Sequence, residues 1–208
     1  MKKGDDMNNS RTLDYFKVEN TYGGDQACLT NFLMMMGGCA AVDACDTCIY
    51  FARNFGVKKL YPFDETNITK NNFIKFSEIM KPYLRPRMKG INTLELYIDG
   101  FGKYLKDVGD HSLSMKPLYG TKSVWDAKEA ILVQIDEGYP IPCLTLRHKN
   151  PKFKDYAWHW YMITGHKEEN NEFHVQTLTY GNYKWFLLEE LWDTGFEEKG
   201  GLVIYGLN

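Results

Sequence analysis

The sequence predicts an α+β protein, and three observations carry that reading. Up to Gly138, apolar residues recur at the three- and four-residue spacings of amphipathic helices. After Gly138 they gather into short runs rich in aromatic and β-branched residues, separated by Gly and Asn. A helical stretch followed by a strand-rich one is an α+β order, and the sequence has neither glycine-rich loop of the nucleotide and dinucleotide folds.

The elements follow from local chemistry. Residues 1–20 read as a polar arm with three anchors, Leu13, Tyr15 and Phe16, and Gly23, Gly24 and Asp25 mark a turn. Ala41, Ala44, Cys48 and Phe51 form the buried face of a first helix. Phe73, Phe76 and Met80 predict a second helix, and Leu94, Tyr97, Phe101 and Tyr104 a third despite Gly100 and Gly102. Ser123 is an N-cap for a fourth, which carries Val124, Ile131 and Ile135 and stops at Gly138. Ile141 to Leu146, Trp158 to Thr164, Glu172 to Thr179, Tyr183 to Leu187 and Leu202 to Tyr205 read as strands of an antiparallel meander, with hairpin turns at Asn170, Asn171 and Gly181, Asn182. At 208 residues the chain is expected to form one domain, 1–208, with a helical part over about 20–138 and a β-rich part over about 139–208.

Composition narrows the function classes. The 25 Lys and Arg against 27 Asp and Glu leave no cationic excess to neutralise phosphates, so no nucleic-acid partner is expected. Arg85, Arg87 and Lys89, and Lys149, Lys152 and Lys154, read as solvated surface. The longest apolar stretch, Phe32 to Val42, is far short of the ~20 residues a spanning helix needs and contains Gly37 and Gly38, so no membrane partner is expected either. Lys2 and Lys3 are followed by Asp5, Asp6, Asn8 and Asn9 where a signal peptide would have its apolar core, which predicts a cytoplasmic protein. The five cysteines, four of them in the first quarter, do not form a disulfide framework.

Three residues carry candidate chemistry. Cys39 follows Gly37-Gly38 and opens an Ala-rich helix, where unpaired N–H groups favour a thiolate. Its bland alternative is a small buried residue, which is how Cys45 and Cys48 read. His159 stands between Trp158 and Trp160 at the start of an apolar strand and suits a general base for a thiol; otherwise it is a core histidine held by a carbonyl. His111, His166 and His174 read as surface. Gln26, after Gly23-Gly24-Asp25, could join the Cys39 N–H in an oxyanion hole. Cys39, Cys45 and Cys48 do not converge as metal ligands, so neither a metal nor an organic cofactor is called for.

In this order, Gln26, Cys39 at a helix start and His159 on a strand of a β-rich second half resemble papain-like cysteine peptidases. The chain is most similar to the bacterial double-glycine, bacteriocin-processing branch and its stand-alone cytoplasmic relatives. Tyr22 to Gln26, Gly37 to Val42, Gly138 to Pro142, Trp158 to Gly165 and Val175 to Gly181 carry the resemblance. It implies a papain-like fold, with Cys39 as nucleophile, His159 as base and Gln26 as oxyanion donor. Two positions depart from the family pattern. Ala40 stands where Gly usually follows the nucleophile. The Asp or Asn that orients the imidazole is replaced by Thr177 in the double-glycine register, or by Leu178 in the papain register; Gln176 and Asn182 are nearby.

Two readings follow. The leading one is a thiol-dependent acyl-transfer hydrolase, a peptidase or amidase working through a thioester with a preformed thiolate–imidazolium pair, its partner being a peptide or amide substrate. The other is a catalytically weakened papain-fold protein that binds a peptide or partner in the old cleft, which the absence of an orienting carboxylate or amide at the third position supports.

Overall fold

The computed structural model describes residues 10–208. Lys2, Lys3, Asp5, Asp6, Asn8 and Asn9, which carried the reading of the N-terminus, lie outside the described residues. Three short strands, β1 (Ser10–Thr12), β2 (Lys17–Val18) and β3 (Thr21–Tyr22), precede α1 (Phe32–Gly37) and α2 (Cys39–Phe55). Then come α3 (Lys70–Met80), α4 (Leu94–Asp107), β4 (Leu113–Tyr119) and α5 (Val124–Glu137). The second half holds β5 (Ile141–Thr145), β6 (His159–Glu169), β7 (Glu172–Thr179), β8 (Asn182–Leu187), α6 (Leu188–Trp192) and β9 (Gly201–Leu207). The fold is α+β, with helices in the N-terminal half and an antiparallel sheet built mainly from the C-terminal half.

The four expected helices form where the apolar spacing places them. Ser123 caps α5 through a reciprocal pair, its hydroxyl accepting the Asp126 N–H at 3.1 Å while the Asp126 carboxylate accepts the Ser123 N–H at 3.0 Å. Gly138 ends that helix in the left-handed region at φ 84°. The first helix departs from expectation. Every residue of α2 from Ala40 to Ala52 is buried, so the helix is not amphipathic but enclosed on all sides, packed on β6 and α3. Ala41, Ala44, Cys45 and Cys48 are small enough to let neighbouring elements approach it.

The sheet order is β4-β9-β5-β6-β7-β8, with β1 added against the far end of β6. From β5 to β8 it is the expected meander. Its hairpins turn on Asn170 (φ 54°) and Asn171 (φ 63°), and on Tyr180 (φ 49°) and Gly181 (φ 72°), each a two-residue loop with both residues left-handed, as the twist of paired strands favours. Then the chain departs from a meander. β9 returns to pair with β5, and β4, from within the part read as helical, pairs with β9 along its whole length. The N-terminal arm is not peripheral either. Leu13, Tyr15 and Phe16 are core residues, and Gly165 lets β1 approach, since a Cβ there would lie 2.8 Å from the Arg11 carbonyl oxygen. His166, read as surface, is buried at 2% exposure and stacks on Phe173.

Among the described residues no helix is long and apolar enough to cross a membrane.

The α5 cap gives a first expected outcome. Ser123→Ala removes the hydroxyl that accepts the Asp126 N–H, leaves the backbone half of the capping box, and should cost about 1 kcal/mol. For a chain of this size that is a fall in Tm of about 2–4 °C, read by thermal denaturation. An unchanged Tm would mean that packing alone holds the start of α5.

Candidate functional site

A single glycine separates the two helices that present Cys39. The Gly38 N–H closes α1 by donating to Met34 O at 2.8 Å, and Gly38 is also the N-cap residue of α2. A Cβ on Gly38 would lie 2.4 Å from Met34 O, so the junction admits only glycine. Cys39 is therefore the first residue of α2, partly exposed where Ala40 to Ala52 are buried.

Burial works against its ionisation and pushes the thiol up to about 11. The Trp160 amide, turned onto the sulfur from the first turn of β6, pulls the other way, as do the N–H groups of Ala40 and Cys39 itself. The Asp43 carboxyl, one helical turn further along α2, adds to the upward push.

His159 opens β6 opposite Thr145 of β5. Trp158 before it sits at φ 54°, an uncommon conformation for a large side chain that turns the backbone sharply into the strand. The His159 ring is held twice. Its Nε2 shares a 2.7 Å hydrogen bond with Thr179 Oγ1, and its face stacks on Tyr180 at 4.9 Å with the planes 4° apart. That leaves Nδ1 for a partner in the cleft. Burial lowers the imidazole to about 4. Burial thus favours the neutral form of both members of the pair.

The third position is corrected as well. Thr177 does not touch His159. Its hydroxyl pairs with Tyr156 Oη at 2.9 Å and donates to Lys184 O at 3.2 Å, on the inner part of the sheet. Leu178 points to the opposite face and packs in the core. Asn182 donates to Tyr180 O, and Gln176 Oε1 accepts from Thr164 Oγ1. Thr179, two residues beyond Thr177 on the same face of β7, is the residue on the ring. β6 carries an irregularity between Ile163 and Gly165, which puts His159 on the face shared by Thr177 and Thr179 rather than that of Leu178 and Tyr180. Period-two alternation could have paired Thr177 with Thr179 as candidates, but only register chooses between them.

Gln26 starts a short turn, Gln26–Cys28, capped by the Asp25 carboxylate on the Ala27 N–H at 2.9 Å. One Nε2 proton is given to Met35 O of α1 at 2.8 Å, which fixes the amide and leaves its second N–H. Gln26, Cys39 and His159 all line one cleft of about 790 Å³. They line a second, small chamber beneath it together with Asp43 and Asp46.

Those two acids were not singled out from sequence. Asp46 Oδ1 accepts the Gly24 N–H at 2.8 Å, and Tyr15 Oη donates to Oδ2 at 3.4 Å. Asp46 thereby ties the loop leading to Gln26 onto α2. That loop is tight, since a Cβ on Gly24 would lie 1.9 Å from Phe73 Cζ. Burial raises the Asp46 carboxyl to about 8, the bonds from Gly24 and Tyr15 opposing it. Asp43 is raised by burial and by Asp46. Cys45 and Cys48 are wholly buried, and among the described residues no three His, Cys, Asp or Glu side chains stand together as a metal site.

No protein-family model and no curated protein matches the chain.

The buried acid sets a pH dependence. Asp46 stays protonated in the folded chain up to about pH 8, while unfolded chains lose that proton near 3.9. The unfolded state therefore releases a proton that the folded state keeps, so this group's contribution to stability falls as pH rises from about 4 to 8. Asp46→Asn retains an acceptor for Gly24 and cannot ionise. It should flatten the decline in Tm between pH 5 and pH 8 relative to wild type. Parallel Tm–pH curves for the two proteins would show that Asp46 is ionised in the fold.

Proposed function

We propose that the protein is a thiol-dependent acyl-transfer hydrolase, a peptidase or amidase of papain-like fold, with Cys39 as nucleophile, His159 as base and Gln26 as oxyanion donor. The observation that carries this is the convergence of Cys39, Gln26 and a His159 ring fixed on two sides on one cleft and on the small chamber that adjoins it. The chain order of the three residues and an enclosed helix packed on an antiparallel sheet support the same reading.

The reaction starts from the neutral pair. As the substrate carbonyl enters, the Cys39 thiol gives its proton to His159 Nδ1 and the sulfur adds to the carbonyl carbon. The oxyanion takes hydrogen bonds from the Cys39 N–H and the free Gln26 Nε2–H. The C–N bond then breaks, the imidazolium proton passes to the leaving amine, and a thioester remains on Cys39. Water attacks it, His159 takes the water proton and returns it to the sulfur, and the acid is released. Thr179 holds the imidazole through Nε2, with a neutral hydrogen bond about half as strong as a charge-assisted one.

That neutral partner favours a second reading, a binding protein that keeps the cleft without efficient turnover. One experiment separates the two. Incubated with p-nitrophenyl acetate, the wild type should acetylate at Cys39, read by peptide mass mapping, and then release acetate. Cys39→Ser should lose the adduct, and His159→Ala should slow its formation by about 10²–10⁴. Thr179→Val should slow it about three- to tenfold, the worth of one neutral hydrogen bond, whereas Thr177→Val should lower Tm and leave the rate alone. Acetylation spread over lysines, or a Cys39 rate indifferent to His159→Ala, would favour the binding reading.

A further inference from the structure

The two walls of the 790 Å³ cleft carry different charge. Arg87 and Lys89 project into it from the loop between α3 and α4, both exposed, and among the described residues neither meets a carboxylate. That loop is pinned beside the site, because the Trp160 indole donates to Ile91 O at 2.6 Å while the same ring stacks on Tyr97 at 4.5 Å. Across the cleft, Arg147 is neutralised by Glu198 at 3.0 Å, which leaves the exposed Asp155 as the uncompensated charge of that wall. The cleft is thus cationic on the loop side and anionic on the sheet side.

Large apolar groups stand beside the cations. Met88, between Arg87 and Lys89, is fully exposed, and Met36 on α1 is 67% exposed. Trp158 and Tyr180, on the opposite rim, are about half exposed at 52% and 46%. Unbranched, polarizable methionines with nothing packed on them adapt to varied apolar partners.

From this arrangement we infer that the cleft selects extended peptide segments in which a glutamate or aspartate adjoins a large aliphatic residue, the carboxylate turned to Arg87 and Lys89 and the aliphatic chain laid on Met88 and Met36. A substrate acid has one favourable wall, since Asp155 repels it from the other. This rests on the thiol-hydrolase reading and specifies its substrate class.

The test uses acetyl-tripeptidyl-glycine chloromethyl ketones, in which the Cys39 sulfur displaces chloride. Glu, Gln or Lys is placed in turn at each of the three variable positions, with Leu as neighbour, and an all-Ala peptide is the reference. Labelling of Cys39 is followed by mass. At one position Glu should label about tenfold faster than Gln, the combined worth of two solvent-exposed ion pairs, with Lys slower still. The gain should shrink in 0.5 M salt, where exposed charges are screened. The double variant Arg87→Glu, Lys89→Glu should invert the order of Glu and Lys, and Met88→Ala should slow the Leu-bearing peptides selectively. If the all-Ala peptide labels Cys39 but Glu gains nothing over Gln, or keeps its gain in the double variant, the inference is overturned and the hydrolase reading stands. If no peptide labels Cys39, both fall.

Discussion

The structure depends on enclosing α2 completely. A helix with solvent on one side can shift along its axis at modest cost. One buried from Ala40 to Ala52 cannot, because interiors pack at crystal-like density and each displaced side chain must find a new fit. The small residues that permit the enclosure also fix the position of its first residue. Cys39 is held by the whole core, and Gly38 lets the chain reach it without a Cβ meeting Met34 O. The site thus inherits its rigidity from the fold. His159 is treated likewise, between a hydroxyl on one strand end and a tyrosine ring at a hairpin.

Enclosure also governs the electrostatics. Taking Cys39, His159, Asp43 and Asp46 out of water disfavours the charged form of each, raising the thiol and carboxyls and lowering the imidazole. Burial favours the neutral form of all four, and a charge created on one is felt by the others in a medium that screens poorly. In the proposed reaction this shifts the work from storing an ion pair to stabilising one as it forms. The amides of Cys39, Ala40 and Trp160 already face the sulfur, so the dipoles that would stabilise a thiolate are in place before it appears. Protonated Asp46 has a structural task meanwhile, joining Tyr15 of the N-terminal arm, Gly24 of the Gln26 loop and α2 in one buried contact.

What could be read from the sequence divides along the same line. Helices with strong apolar spacing and a clear cap, such as the one running from Ser123 to Gly138, were legible, as were strands bounded by Asn and Gly turns. Cys39, His159 and Gln26 could be picked out because each sits in a short local context, and the structure brings all three to one cleft. What was not legible depends on contacts between distant segments. β4 reads as polar because its edge position leaves Ser114, Lys116, Pro117 and Tyr119 exposed. Thr179 could not be told from Thr177, because both lie on one face of β7 and only the tertiary placement of His159 chooses between them. Asp43 and Asp46 lie on a helix read only for its apolar face, and only the enclosure of α2 turns them inward. Arg87 and Lys89 were placed correctly on the surface, but which surface they face is fixed by the Trp160–Ile91 bond, a contact spanning 69 residues.

That bond joins the two halves of the chain at the cleft. Trp160 belongs to β6, immediately after the candidate base, and its amide touches the candidate nucleophile on α2 while its indole holds the 85–92 loop. One residue therefore joins the candidate pair to the cleft wall formed by the 85–92 loop. Its ring is almost wholly buried and stacked on Tyr97, whose hydroxyl continues through Tyr205 to Thr47 of α2. The connection closes a ring of contacts from α2 through β9, α4 and β6 back to Cys39. In the proposed reading these contacts couple the candidate pair to the cleft wall, because the same buried tryptophan holds both.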